Sequence, residues 1–203
     1  KDDVQRVMAV ADAARARGDM ATAAALFGRA SEIDPESAAP LLAFAEIARH
    51  MDRIADAIAA YERAIALVPD NPDALAGYGK ALIASGRAAD AIAAFEGALA
   101  LRPADADALN GLGVALDRLG DHEVAQQRYI DGLEIAPDDF ALSNNLAFSL
   151  AITGAYADAI RILSRLAAAP SATARIRQNL ALVHGLAGNV DEAAEFARAD
   201  LGE

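Results

Sequence analysis

The chain has 203 residues, of which 55% are hydrophobic and only 5% are aromatic, and it contains no cysteine. This composition allows a sizeable core of closely packed helices, argues against a β-sandwich or barrel, and excludes disulfide bonds and cysteine-ligated metals. The formal net charge of −12 argues against binding to nucleic acid or anionic lipid, because phosphate groups would be repelled.

Several residue types recur at intervals of 34 residues along the chain. Proline stands at positions 35, 69, 103 and 137, and Pro170 comes one residue early. Alanine stands at positions 23, 57, 91, 125, 159 and 193, and aromatic residues stand at positions 27, 61, 95 and 129. Glycine stands at positions 18, 86, 120, 154 and 188, with Asp52 in the second slot. Recurrence over six periods indicates an internal repeat.

Each period predicts two helices joined by a tight turn. Residues of N-cap type precede the first helices, namely Asp3, Ser37, Asn71, Asp105, Asp139 and Thr173. The glycine about fifteen residues later suits a left-handed helix stop, a geometry that Asp52 can adopt at some strain. The recurring alanine falls early in the second helix, which the proline ends. We therefore predict one all-α domain over residues 1–203, with repeats at residues 4–37, 38–71, 72–105, 106–139, 140–173 and 174–203.

This pattern resembles the tetratricopeptide repeat, which has a large residue at position 7, a small one at position 8, alanine at 20, an aromatic residue at 24 and proline at 32. Position 7 is Val10, Phe44, Tyr78, Leu112, Leu146 and Leu180, and position 8 is Ala11, Ala45, Gly79, Gly113, Ala147 and Ala181. The resemblance implies a right-handed α-solenoid whose first helices line a concave groove. It also implies a scaffold that binds a protein or peptide segment without a cofactor.

The late repeats carry side-chain amides at positions that face the groove in tetratricopeptide proteins. Asn110, Asn144 and Gln178 occupy position 5 of repeats four to six, and Asn145 and Asn179 occupy position 6 of repeats five and six. A primary amide offers two donors and two acceptor sites, so it can hold the backbone of an extended peptide. The resemblance implies such a grip, because some family members use an asparagine ladder in this way. We therefore expect these five side chains to line one strip of the concave face and to be exposed.

A structural interpretation of the same amides stays open, in which they bond to one another and hold neighbouring repeats together. Two further residues complete the predicted peptide-binding set. Phe148 lies one turn from Asn144 and could form an apolar pocket, or it could belong to the core between repeats. Arg175 matches approximately one position of the family's carboxylate clamp, of which only Asn145 matches fully, so this clamp is disfavoured.

Catalysis is not expected from this sequence. His50, His122 and His184 lie far apart in the chain, and none has a cysteine, serine or acidic partner at the spacing of a known motif. Phosphate-binding loops, nucleophile elbows and paired metal ligands on one helix face are also lacking. We expect His184, at a position that is normally core, to be a buried or capping residue.

The last third of the chain has a narrower resemblance. The runs "NNLA", "AAAPSATARIRQNLAL", "GLAGN" and "ARADL" resemble the C-terminal part of TadD-type proteins of tight-adherence (Flp) pili. That resemblance implies an outer-membrane lipoprotein in the periplasm that helps to assemble the secretin pore by holding a partner protein. The lipidated N-terminal cysteine of such proteins is missing here, so we expect a chain trimmed to its soluble part. If the resemblance fails, a cytoplasmic scaffold is the alternative.

Two further expectations concern surfaces. The uncharged run at residues 140–157 includes two asparagines, Thr153 and Gly154, so we predict a helix and a turn and no insertion into a membrane. The last helix carries Ala194, Phe196, Ala197 and Leu201 with no later repeat to cover them. Exposed ends of repeat arrays seek a partner, so we predict that this end is uncovered and supports self-association.

Overall fold

The computed structural model describes residues 2–170 and 172–199, with the side chains of residues 3–170, 172–196. The described residues form twelve α-helices and no β-strand, which confirms the all-α prediction. The helices are α1 Asp2–Ala16, α2 Met20–Ile33, α3 Ala38–His50, α4 Ile54–Leu67, α5 Pro72–Ala84, α6 Ala88–Leu101, α7 Ala106–Leu119, α8 His122–Ile135, α9 Phe140–Ile152, α10 Tyr156–Ala167, α11 Ala174–Leu186 and α12 Val190–Ala199. None of these described helices is both long and apolar enough to cross a membrane.

The helices group into two compact units, residues 1–103 with α1 to α6 and residues 104–203 with α7 to α12. Within each unit, every helix packs against the next one in the chain, so each unit is an array of three helix pairs. The odd-numbered helices are the first helices of the pairs, and the even-numbered ones are the second helices. A single domain over residues 1–203 stays a prediction.

Short polar side chains set the starts of several first helices. Asn71, Asp105 and Asp139 are N-caps whose side-chain oxygens accept hydrogen bonds from backbone N–H groups three residues later, at 2.9–3.0 Å. Ser37 and Thr173 stand at the same position without a side-chain cap bond. The predicted N-cap position is therefore confirmed for five repeats, and the side-chain cap bond for three of them. It is wrong for Asp3, which lies inside α1 because that helix begins one residue earlier.

The turn inside each helix pair requires a residue in the left-handed region. The five recurring glycines have φ between 80° and 89°, as the spacing predicts. Asp52 fills this slot in the second repeat with φ 60°, and it is the non-glycine residue with positive φ among those described. A side chain in this conformation costs free energy that glycine avoids.

The core of each pair is closed by the recurring small and large residues. The alanines at positions 23, 57, 91, 125 and 159 are fully buried, whereas Ala193 is half buried. Large residues at positions 27, 61, 95, 129 and 163 are also buried. A methyl group built on Gly113 would overlap the ring of Tyr129, so this helix crossing strongly favours glycine. This packing fixes how α7 and α8 present their remaining side chains.

Candidate peptide-binding surface on the first helices of unit two

The predicted amides lie on the first helices of unit two, at one level in each repeat. We call the set Asn110, Asn144, Asn145, Gln178 and Asn179 the amide strip. Asn110 lies on α7, the asparagine pair lies on α9, and Gln178 and Asn179 lie on α11. Because α7 packs against α9 and α9 against α11, amides of successive repeats come within reach of one another.

Two hydrogen bonds join the amide strip between repeats. Nδ2 of Asn145 donates to Oδ1 of Asn110 at 2.8 Å, and Nδ2 of Asn179 donates to Oδ1 of Asn144 at 2.7 Å. Both bonds run in the same direction, from position 6 of one repeat to position 5 of the preceding repeat. The structural interpretation that the sequence left open is therefore realised in part, since the amides do link neighbouring repeats.

The exposure of the amide strip corrects the sequence-based expectation that all five side chains are exposed. Gln178 is exposed, but the four asparagines are only half exposed, because each packs beside its hydrogen-bonded partner on the adjacent helix. They are not buried, so water or another molecule can still reach them. Their role in peptide binding stays a prediction.

Each amide pair keeps unused hydrogen-bonding capacity. A primary amide has two N–H donors and two acceptor sites, and the single bond in each pair consumes one donor and one acceptor site. Asn110 and Asn144 retain both N–H donors, while Asn145 and Asn179 retain the carbonyl oxygen. Each pair therefore presents a donor group next to an acceptor group, in the same order in both pairs.

One turn beyond the amide strip, the same helices carry a row of apolar side chains. We call Val114, Phe148 and Leu182, which lie 34 residues apart, the apolar row. Val114 is half buried, Phe148 is 38% exposed and Leu182 is 50% exposed. One turn further, Ile152 and Leu186 are also more than half exposed. Phe148 is therefore partly packed and partly open to solvent, and its role in an apolar pocket stays a prediction.

The predicted site also includes a cation. Arg175 lies one turn before Asn179 on α11, and it is exposed. Its neighbour Arg177 is half buried and donates from Nη1 to the carbonyl of Ala172 at 3.4 Å, which fits a structural role. The structure thus brings the amides, the phenyl ring and Arg175 onto the first helices of one unit.

A second polar cluster, which the sequence analysis missed, is centred on Asp117 of α7. Its Oδ1 accepts from Oγ of Ser149 at 2.7 Å and lies 2.8 Å from Nδ1 of His122. Its Oδ2 accepts from the hydroxyl of Tyr129 at 2.8 Å. The cluster ties α7, α8 and α9 together. The sequence feature that could have predicted this cluster is the pair Asp117 and His122, which flank the left-handed turn at Gly120.

The hydrogen bonds of the Asp117 cluster join neighbouring helices. Ser149 is fully buried and donates to the Asp117 carboxylate instead of to the imidazole of His122. Burial and the nearby carboxylate of Asp117 raise the pKa of Tyr129, whose hydroxyl therefore stays a hydrogen-bond donor. Three donors on one carboxylate fix the relative position of the three helices.

Comparison with known proteins agrees with the helix pairs. Two sequence models of the tetratricopeptide repeat match residues 42–106 and 82–147, together just over half of the chain. The chain is a tetratricopeptide-repeat protein. Among curated proteins, no sequence matches it.

Several solved structures share this fold. The type IV pilus biogenesis factor PilW superposes with a TM-score of 0.86 at 22% identity, over 97% of this chain and 91% of PilW. PilF of Pseudomonas aeruginosa gives a TM-score of 0.79 at 20% identity, over 100% of this chain and 94% of PilF. YrrB, described as having an unusual peptide-binding site, gives 0.64 at 22% identity, over 84% of this chain and 88% of YrrB. At these identities the likeness establishes the fold.

The last repeat of this tetratricopeptide array is more covered than the sequence predicts. Phe196 is half buried and stacks on His184 with ring centroids 5.6 Å apart, so the prediction of an uncovered phenyl ring is wrong. His184 is buried as expected, and its Nδ1 lies 3.3 Å from Nδ2 of Asn189. Ala194 is half buried, whereas the side chains of Ala197 and Leu201 lie outside the described residues.

Proposed function

We propose that this tetratricopeptide protein holds a segment of a partner protein along the amide strip of unit two. The observation that carries the proposal is the repeated amide pair. Asn110 with Asn145, and Asn144 with Asn179, each leave a donor and an acceptor unused on a half-exposed surface. A peptide backbone offers the complementary acceptor and donor at every residue except proline.

The chemistry of this contact favours recognition of the main chain over particular side chains. Each hydrogen bond contributes only about 0.5–1.5 kcal/mol net, because water is displaced from both partners. Affinity therefore needs several amides acting together, with apolar contact from Phe148. Rigid helices hold these groups, and the existing bonds between asparagines reduce the side-chain entropy that binding would otherwise cost.

A displayed library of random peptides, selected on the wild-type protein, tests the proposal. We expect the selected peptides to bind about tenfold or more weakly to the double variant Asn145→Ala, Asn179→Ala, with its fold retained. N-methylation of the peptide backbone should weaken binding more than replacement of its side chains. The matched control is Gln127→Ala, which removes an exposed amide from the second helix α8 and should leave the affinity unchanged.

The structural interpretation of the amides makes the opposite forecast for the same variant. If the asparagines only link repeats, the double variant melts at a lower temperature and keeps its affinity per folded molecule. Calorimetry and a binding titration on one protein preparation distinguish the two outcomes. An unchanged affinity at full folding refutes the proposed function.

For the biological setting, we propose pilus assembly, with a secretin subunit or another assembly component as partner. Two structural neighbours are pilus proteins by name, and the last two repeats resemble TadD-type proteins. In that setting the protein would act in the periplasm, anchored to the outer membrane by a lipid. Capture of a secretin subunit from native membranes, lost with the double asparagine variant, is the expected result. Capture that does not depend on the amides contradicts the proposal.

Self-association is a second candidate function, favoured by one observation. Leu186 of α11 and Val190 of α12 flank the last turn and are 54% and 70% exposed. Apolar side chains that adjoin in this way commonly mark contact surfaces. Light scattering of the Val190→Asp variant tests it, since an oligomer that depends on this surface dissociates and a monomeric wild-type protein refutes it.

A further inference from the structure

The amide strip and the apolar row repeat with the same spacing. This shared spacing restricts the conformation of a peptide that contacts both sets of side chains along its length. Asn110 and Asn144 are equivalent residues of successive repeats, as are Val114 and Phe148. The hydrogen bonds between amides show that the first helices are in direct contact. Axes of packed helices lie about 8–10 Å apart, so equivalent groups recur at about that distance.

We propose that the segment held by unit two adopts the polyproline II conformation, with an apolar residue at every third position and a carboxylate near the end that lies on the sixth repeat. This inference rests on the proposed function of the amide strip. A polyproline II helix has three residues per turn and rises about 3.1 Å per residue, so one face recurs about every 9 Å. That repeat matches the separation of about 8–10 Å expected for packed first helices.

The two common alternatives for a bound segment fit less well. A β-strand returns to the same face after two residues, at about 6.7 Å, or after four, at about 13 Å, and both values miss the helix spacing. An α-helix satisfies its backbone groups internally, so it leaves no N–H or C=O for the amide pairs. A polyproline II segment has no internal hydrogen bonds, so its backbone groups are available.

The direction of the amide pairs supports one continuous segment. In both pairs, position 6 donates to position 5 of the preceding repeat, so the unused donor and acceptor come in the same order. A segment running in one direction therefore makes the same contact at residues three apart. Its apolar side chains then meet Val114, Phe148 and Leu182 in turn, two of which are exposed.

Charge complementarity defines one end of the segment. Arg175 is exposed on α11, one turn before Asn179, next to the last amide pair. A carboxylate on the segment at this level would pair with its guanidinium, whereas an acidic chain of net charge −12 disfavours further acidic residues along the segment. The segment is thus apolar and proline-compatible, with its negative charge at one end.

Synthetic peptides of about twelve residues with one composition test the inference. Each contains three leucines in an alanine and proline background, spaced every second, third or fourth residue, and one glutamate at either the first or the last position. We expect the peptide with leucine at every third residue to bind at least about tenfold more tightly than the other two. Phe148→Ala should remove this preference, whereas Val124→Ala, which truncates an exposed apolar residue of the second helix α8, should keep it.

Arg175→Ala tests the position of the carboxylate. We expect it to weaken the preferred glutamate orientation about twofold to fivefold at low salt and to leave the other orientation unchanged. Equal loss for both orientations, or no loss, overturns that part of the inference.

The outcomes also separate this inference from the proposed function. If peptides with leucine at every second or fourth residue bind best, and the binding depends on Asn145 and Asn179, the conformation proposed here is wrong and the amide strip still binds peptide. If none of the designed peptides binds while library peptides do, the inference is again overturned. If the library also yields no amide-dependent binder, the proposed function fails with it.

Discussion

Adding one methyl group at Gly113 tests how tightly the fourth repeat is packed. In the Gly113→Ala variant the new Cβ would overlap Cε1 of Tyr129 and lie 2.7 Å from its Cζ. The Tyr129 side chain is almost fully buried, and its hydroxyl donates to Asp117 at 2.8 Å. The ring therefore cannot move away without disturbing the Asp117 cluster.

Three contributions set the expected change in the free energy of unfolding. Overpacking of a core costs about 1–3 kcal/mol. Loss of the hydrogen bond from Tyr129 to the carboxylate of Asp117 costs about 1.5–3 kcal/mol. Alanine gains about 1 kcal/mol over glycine from its helix propensity. We therefore expect Gly113→Ala to destabilise unit two by roughly 1.5–5 kcal/mol.

Urea unfolding followed by circular dichroism measures this change. The matched control is Gly28→Ala in α2, where the nearest atom would be 3.9 Å from the new Cβ, an ordinary contact. That control should be neutral or stabilising by up to about 1 kcal/mol, because helix propensity acts alone.

A second-site change provides a further check. Repeat five has Ala147 and Leu163 at the equivalent positions, both fully buried. The double variant Gly113→Ala, Tyr129→Leu copies this pair, so the alanine should cost less in that background than in the wild type. If Gly113→Ala unfolds at the wild-type urea concentration, or if leucine at position 129 gives no relief, the close contact described here does not limit the stability of the repeat.

Four more substitutions test the fold. Asp52→Gly should stabilise unit one by about 0.5–1 kcal/mol, because it relieves a left-handed side chain at φ 60°, and an unchanged unfolding midpoint would contradict this. Ala125→Leu should lower the free energy of unfolding by about 1–3 kcal/mol, because Ala125 is fully buried. Ala193→Leu should lower it less, because Ala193 is only half buried. Equal losses of stability in the two variants would contradict the packing. A hydrogen bond from Arg102 lowers the pKa of Asp73. The ionised Asp73 should therefore stabilise unit one above about pH 4, and this stabilisation should be lost as the pH falls below that value. Asp73→Asn should remove this pH dependence of stability in acid titrations.

The helix pairs were predictable because single residues determine their ends. Asn71 caps a helix through its own side chain, and each turn glycine has a backbone conformation that most residues avoid. Asp3 shows the limit of this reasoning, since a cap-type residue inside α1 looks the same in sequence as one before it.

The site was predictable in position but not in hydrogen bonding. The repeat register places the asparagines on the first helices, yet rotamers that turn Asn145 toward Asn110 or toward solvent differ by little free energy, which sequence does not encode. His122 pairs with Asp117 across a turn, five residues away, so the contact depends on the backbone geometry at Gly120. Phe196 could not be placed without knowing that His184 offers a ring to stack on.

The order of helix contacts also bears on how the chain is made. Within each unit, the described helices pack mainly against their neighbours along the sequence. Most helix–helix contacts can therefore form before more distant residues have been synthesised. Proteins rich in local contacts fold in microseconds to milliseconds, whereas ribosomes need roughly 2–7 s to add the 34 residues of one repeat. Within a unit, each helix pair can therefore pack on the preceding one during translation, which shortens the time that its apolar face is open to chaperones and to aggregation.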